Sequence, residues 1–130
     1  MIRFFIEIKP YKSMVSVLLI DDDIHLCEEI RFGLERAGYE VTVATGGDEG
    51  LVEFERKPYD VVITDVVMDD GEGVGTMCRL RQLAPDLPVI AISAHDIYLG
   101  TMTKLGANCS LYKPFKMTAL IAAVTELSGG

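Results

Sequence analysis

Positive charge is in short supply in this chain: 12 lysines and arginines stand against 20 aspartates and glutamates, a formal net charge of −8. Holding a phosphate backbone takes a basic stripe, so this balance argues against a nucleic-acid surface. Cysteine is also sparse. Cys27, Cys78 and Cys109 are odd in number, lie far apart and form no Cys-x-x-Cys pair. A disulfide framework and a zinc site are therefore not expected, and a reducing compartment is. Each thiol is expected to behave as a small buried or half-buried hydrophobe. No apolar stretch reaches the roughly 20 residues that cross a membrane. The opening Met1-Ile2-Arg3-Phe4-Phe5-Ile6-Glu7-Ile8-Lys9 looks superficially like a signal peptide. Glu7 and Lys9 interrupt it too early, and no small-residue cleavage site follows. Internal repeats and low-complexity segments are absent as well. A cytoplasmic location without a membrane partner is expected.

What is present is a regular alternation. At 130 residues, the chain is long enough for one domain with a real core. After the first fourteen residues, short apolar runs alternate with helical patterns. Val15 to Ile20 is the first strand. Ile24, Cys27, Ile30, Leu34 and Ala37 then recur on one face of a helix that stops at Gly38. Tyr39 to Val43 is the second strand, and Asp48 to Arg56 a short helix carrying Leu51, Val52 and Phe54. Val61 to Thr64 is the third strand, followed by a turn-rich acidic stretch, Asp69-Asp70-Gly71-Glu72-Gly73. Val74, Met77, Leu80 and Leu83 mark a third helix, Val89 to Ser93 the fourth strand, and Tyr98 to Leu105 a helix stopped by Gly106. Leu111-Tyr112 forms a short fifth strand, and Met117 to Leu127 the last helix through Leu120, Ile121, Val124 and Leu127.

Strands alternating with helices imply right-handed crossovers and a mostly parallel sheet covered on both faces. In such α/β sheets ligands bind outside the carboxyl ends of the strands. Waiting there are Asp21 and Asp22 after strand one, Asp65 after strand three, Ser93 after strand four and Lys113 after strand five. Carboxylates gathered there repel one another unless a cation compensates. Mg²⁺ suits them, because it takes oxygen ligands, keeps several waters and shares positions with phosphate oxygens. Lys113 supplies a compact positive charge and Ser93 a hydroxyl. Together these groups would stabilise the charge on a transferring phosphoryl group, and an aspartate oxygen can serve as the in-line nucleophile.

This set of residues resembles the receiver domain of two-component response regulators, in the single-domain form of the chemotaxis type. Leu18-Leu19-Ile20-Asp21-Asp22-Asp23 is similar to the acidic segment after the family's first strand. Asp65-Val66-Val67-Met68 resembles its phosphoacceptor motif, and Ile92-Ser93-Ala94 its switch hydroxyl motif. Gly106-Ala107 and Lys113-Pro114-Phe115 resemble the signature near its end. The match runs from about Val15 to Leu127. It implies a flavodoxin-like, doubly wound, five-stranded parallel sheet of order 2-1-3-4-5. It also implies that Asp65 accepts a phosphoryl group from a histidine kinase, a phosphotransfer protein or a small donor. Asp21, Asp22, Asp65 and the backbone carbonyl of Val67 would hold Mg²⁺. Lys113 would pair with Asp65 and then with the phosphoryl group, and Ser93 would swing toward that group. The Lys113-Pro114 bond would be cis.

The chain departs from the family in several places. Asp69 stands where the family usually has proline, and with Asp70 and Glu72 it makes the loop unusually acidic. Ser110 replaces the usual switch aromatic. Tyr112 cannot simply substitute, because neighbouring strand residues point to opposite faces and Tyr112 and Lys113 should diverge. Output is expected to use backbone movement or the Tyr98 neighbourhood instead. Val67 and His95 occupy positions that tune phosphoryl lifetime. Val67 offers no group to orient water, so slow hydrolysis is expected, while His95 is expected in an exposed loop and His25 on a solvent-facing helix surface.

Three segments are expected: an extension over residues 1–14, the receiver over 15–127 and a tail over 128–130. Ile2, Phe4, Ile6 and Ile8 alternate with Arg3, Phe5, Glu7 and Lys9, a period suited to an added edge strand that pairs within the domain or with a second subunit. Met14 would serve equally as a natural start. Nothing after Leu127 can form a helix-turn-helix, so output is expected to pass to a downstream effector protein, although Ser128-Gly129-Gly130 could begin a linker. Helix four, strand five and helix five are open to use as a homodimer face. The competing class is a constitutive interaction module that keeps the fold without switching, against which the retention of Asp65, the acidic pair, Ser93 and Lys113 weighs. A phosphohydrolase would carry an acid where Val67 stands and a substrate cap. A calcium loop counted from Asp65 would need glycine where Asp70 stands.

Overall fold

The computed structural model describes residues 14–66 and 73–129. Strands and helices alternate along them: β1 (Ser16–Ile20), α1 (Ile24–Arg36), β2 (Glu40–Ala44), α2 (Gly47–Arg56), β3 (Val61–Asp65), α3 (Gly73–Leu83), β4 (Val89–Ser93), α4 (Asp96–Lys104), β5 (Cys109–Tyr112) and α5 (Met117–Ser128). The strands make one five-stranded sheet in the order β2-β1-β3-β4-β5, with every pairing parallel. This is the doubly wound α/β architecture expected from the motifs.

The apolar runs form strands because each has a helical layer on both sides. Leu18, Ile20, Val62, Val89 and Ala91 point to one face, where they meet Met77, Leu80 and Met102. Val17, Leu19, Val61, Ile63, Ile90 and Ile92 point to the other and pack on Cys27, Ile30, Leu34, Leu120 and Val124. Each buried Val, Leu, Ile or Met side chain among them contributes about 1.5–3 kcal/mol, so the two layers together fix the register that delivers the strand-end residues. β3 and β4 are buried along their whole length. The outer strands β2 and β5 are only partly covered.

Helix faces differ from the sequence reading mainly at their ends. On α1 the inward row is Cys27, Ile30 and Leu34. Ile24 is 61% exposed, because it lies in the first turn, at the margin of that row and beyond the sheet. Ala37 is exposed at the C-cap. Val52 is turned outward while Leu51 and Phe54 pack on the core. Val74 and Leu83, in the outermost turns of α3, are also exposed. Cys78 is exposed rather than buried or half-buried, whereas Cys27 is buried and Cys109 half-buried. Cys78 follows the inward Met77 and so turns off the packed row.

The expected stops at Gly38 and Gly106 have φ of +99° and +112°, values that suit glycine. α4 begins at Asp96, earlier than expected, and β5 begins at Cys109. α5 runs through Ser128, one residue into the expected tail. Gly73 opens α3 so close to β3 that an added Cβ would lie 1.6 Å from the Val66 carbonyl oxygen.

The amino edge of the sheet is tied by Arg81. Its guanidinium donates to the Gly106 carbonyl at 3.2 and 2.7 Å, to the Ala84 carbonyl at 3.0 Å and to Asn108 Oδ1 at 2.9 Å. Asn108 Oδ1 also accepts from the Val89 amide at 2.9 Å. At the same edge, Asp60 Oδ2 accepts from the Ser16 amide at 2.8 Å. Among the described residues, no helix is long and apolar enough to cross a membrane. The expected edge strand in residues 1–13 lies outside the described residues, as do Val67 and Asp69.

Candidate functional site

The carboxyl edge gathers the strand-end residues. β1 ends at Ile20, and the Asp21 amide donates to the Ala44 carbonyl at 3.0 Å. That bond holds Asp21 in line with the sheet, where it is fully buried. Its Oδ1 accepts from the Asp23 amide at 2.9 Å. Asp23 itself caps α1, accepting from the Leu26 amide at 3.1 Å, as aspartate commonly does at a helix start. Asp65 closes β3 and is 4% exposed. Asp22 is half-buried, and ligand atoms of Asp21, Asp22 and Asp65 all lie within 4.8 Å of one another.

Lys113 follows β5, anchored by its amide donating to the Ser93 carbonyl at 2.7 Å. Its ammonium sits 2.8 Å from Asp21 Oδ2 and 3.5 Å from Asp65 Oδ2. Burial alone would lower the Lys113 pKa, but the hydrogen bond and charge of Asp21, joined by Asp65, outweigh it and hold the ammonium above the ordinary lysine value. The Lys113-Pro114 bond is cis. Beneath Asp21, the Cys27 thiol donates to the Asp21 carbonyl at 3.3 Å. Burial first, then the negative charge of Asp21, pushes that thiol up to about 12.

Ser93 ends β4 fully buried. Its hydroxyl faces the start of α4, accepting from the His95 amide at 2.9 Å and lying 3.2 Å from the His95 carbonyl. His95 is exposed, with its ring edge-on to Tyr98 at 6.1 Å. Ser110 is half-buried, and its hydroxyl lies 3.3 Å from that of Thr103 on α4. Tyr112 is 53% exposed, whereas the adjacent Lys113 side chain turns into the acid cluster. His25 is exposed on α1.

The fold therefore brings Asp21, Asp22, Asp65 and Lys113 into one cluster, with Ser93 at the same edge facing α4. Sequence reasoning missed two neighbours. Cys27 supports Asp21 from the inward face of α1, and its place six residues downstream on that face was the available signal. Thr103 partners Ser110 across α4 and β5, for which no local signal exists.

Among the described residues, three carboxylates, two of them buried, gather beside the Lys113 ammonium in an oxygen-lined niche. Such a donor set fits a hard divalent cation, and the half-exposed Asp22 leaves a side open to water.

A doubly wound sheet of this order, with an acid and lysine cluster at its carboxyl edge, defines a flavodoxin-like receiver domain. The model of the response regulator receiver domain family matches residues 17–125, and the chain belongs to that family. The receiver domain is a signalling module of two-component systems. The sensory transduction protein RegX3 of Mycobacterium tuberculosis is 32% identical over 113 residues, covering 85% of this chain and 49% of its own length. The transcriptional regulatory protein GlrR of Escherichia coli is 33% identical over 112 residues, covering 85% of this chain and 25% of its own. The chain thus spans about half the length, or less, of these curated relatives. A receiver domain protein from Clostridium thermocellum is 30% identical with a TM-score of 0.84, over 89% of this chain and 95% of that one. TrrA from Thermotoga maritima, solved in complex with Mg²⁺ and BeF, is 28% identical with a TM-score of 0.82, over 88% of this chain and 99% of its own.

Proposed function

We propose that this chain is a phosphorylation-switched receiver that takes a phosphoryl group onto Asp65 and reports its state by contact with another protein. The observation that carries this reading is the position of Lys113, whose ammonium bridges Asp21 and Asp65 inside the three-carboxylate cluster. In the proposed reaction, an oxygen of the Asp65 carboxylate attacks phosphorus in line. A new P–O bond forms as the bond to the donor's leaving group breaks, and the leaving group departs with the electron pair. The product is an acyl phosphate on Asp65. The donor is a histidine kinase, a phosphotransfer protein or a small acyl phosphate.

Asp21 and Asp22, with Asp65 and the Val67 carbonyl, would hold Mg²⁺, which when bound supplies the charge that offsets the phosphoryl oxygens. Lys113 would leave the Asp65 carboxylate and follow the negative charge onto the transferred group. Ser93 would exchange its His95 partner for a phosphoryl oxygen, freeing the start of α4. Val67, His95 and Asp69 would set the lifetime of the product. Ser110, in place of an aromatic, would leave the coupling of α4 to β5 to the hydroxyl contact with Thr103. The acidic charge of the chain speaks against direct contact with nucleic acid and for a protein effector.

The test is incubation with acetyl phosphate and Mg²⁺, followed by intact mass. One added phosphoryl group on the wild type, absent from Asp65→Ala and lost on chelation, is expected. No added mass on the wild type would instead favour a constitutive interaction module.

A further inference from the structure

An open groove of about 700 Å³ runs along α1 beside the start of α5, with Leu26, Gly33, Phe115, Met117 and Ile121 as its apolar lining. Gly33 lets α5 come close, since an added Cβ would lie 2.8 Å from Met117 Cγ. Phe32, Glu29 and Arg36 line the same groove, and Phe32 is 63% exposed. A ring this exposed beside other apolar side chains is surface that water covers at a cost.

We infer that this groove is the contact face of a two-fold dimer between copies of this chain, with each Phe32 ring seated in the other's groove. The charges decide the occupant. Glu29, Phe32, Gly33 and Arg36 fall at i, i+3, i+4 and i+7, one stripe of α1. The two ends of the stripe have opposite sign, and its centre lies between Phe32 and Gly33. A stripe in that order is complementary to itself run in reverse. When two α1 helices lie antiparallel about a two-fold axis at that centre, Glu29 of each copy meets Arg36 of the other. Each Phe32 then comes opposite Gly33 of the second copy and the Met117 thioether beside it, a soft surface that suits an aromatic ring. A parallel pair would set like charges against each other.

Neither charge is neutralised within the chain. Arg31 pairs with Glu35 at 3.6 Å on the same helix. Glu29 and Arg36, both exposed, have no salt bridge among the described residues. Arg36 instead lies over the Phe32 ring at 5.6 Å, which holds its guanidinium at the groove. Each copy carries a net charge of −8, so the cross pairs work against a general repulsion and a weak, reversible dimer is expected. The contact needs no phosphoryl group and stands apart from the reading of Asp65.

The test is sedimentation velocity on the full chain over a range of concentrations, without phosphodonor. A reversible monomer–dimer equilibrium is expected for the wild type. Glu29→Arg and Arg36→Glu each turn both cross pairs repulsive, and each should raise the dimer dissociation constant about tenfold. Both sites are exposed and both new residues are good helix formers, so the variants should fold. The double reversal restores both pairs in swapped order and should recover wild-type association. Mixing the two single variants should likewise give a heterodimer tighter than either homodimer. A monomer at millimolar concentration, a dimer that the single reversals leave unchanged, or single reversals that the double reversal or the mixture fails to rescue would each overturn the inference.

Discussion

The two ends of the sheet are both polar, but they are balanced differently. At the amino edge, the Arg81 guanidinium meets two carbonyls and the Asn108 amide, and Asn108 in turn takes up the Val89 amide. Donors and acceptors are matched there, and the network ties α3, β4 and the turn before β5 together. At the carboxyl edge, the Lys113 ammonium pairs with Asp21 and Asp65 while Asp22 lies in the same cluster, so among these groups carboxylates outnumber ammonium groups. Matched polar groups hold a structure in place. An excess of one sign stores a demand that something from solution must meet. The molecule thus separates its fastening from its responsiveness by the full length of the strands.

Substitutions at the two ends should therefore differ in kind. The largest effect is expected from Lys113→Ala in cation-free buffer, which leaves Asp21 and Asp65 buried without their ammonium and should cost about 3 kcal/mol. Denaturant midpoints would measure it, and added Mg²⁺ should return part of the loss. An unchanged midpoint would remove the idea of a charge excess held by Lys113. Arg81→Ala should cost about 2 kcal/mol by stranding carbonyl acceptors at the other end. Its loss should be insensitive to Mg²⁺, and recovery on adding the ion would erase the contrast.

Asp65→Asn should go the other way. Removing one of the crowded charges should stabilise the cation-free protein by on the order of 1 kcal/mol and blunt its response to Mg²⁺. Destabilisation in the thermal midpoint would count against crowding. The smallest effect is that of pH. The folded Lys113 pKa is raised, so its contribution is fully present below the ordinary lysine value of 10.5 and fades only as pH climbs through the higher folded value. The stability gap between wild type and Lys113→Ala should stay flat across neutral pH and close only in strong alkali.

Much of this was legible in the residues because the strands are buried on both faces. Runs such as Val61 to Ile63 have few alternatives to a central strand, and an acid at the end of such a run is delivered to one edge. In sequence β5 looks shorter than it is because Ser110 breaks its apolar character, while its pairing of Cys109 with Ile90 comes from the neighbouring strand. The start of α4 at Asp96 is not marked in sequence, because its N-cap is His95 and no side-chain cap bond forms there. Ile24 followed the helical period yet faces solvent, since period alone does not say where the sheet beneath a helix stops. The Arg81 and Asn108 clamp was not legible, being a contact between residues far apart in sequence. The acid and lysine cluster was legible only through the topology that collects it.

The cysteines complete the contrast in a practical way. Cys27 lies under the acid cluster with its thiol pushed up to about 12, whereas Cys78 is exposed on α3. The folded chain thus carries one sulfur open to alkylation and another silent until the core around it opens. Without any substitution, the protein has its own chemical clock for opening beneath the acidic edge, read as the delay from modification of exposed Cys78 to that of buried Cys27, with half-buried Cys109 followed separately.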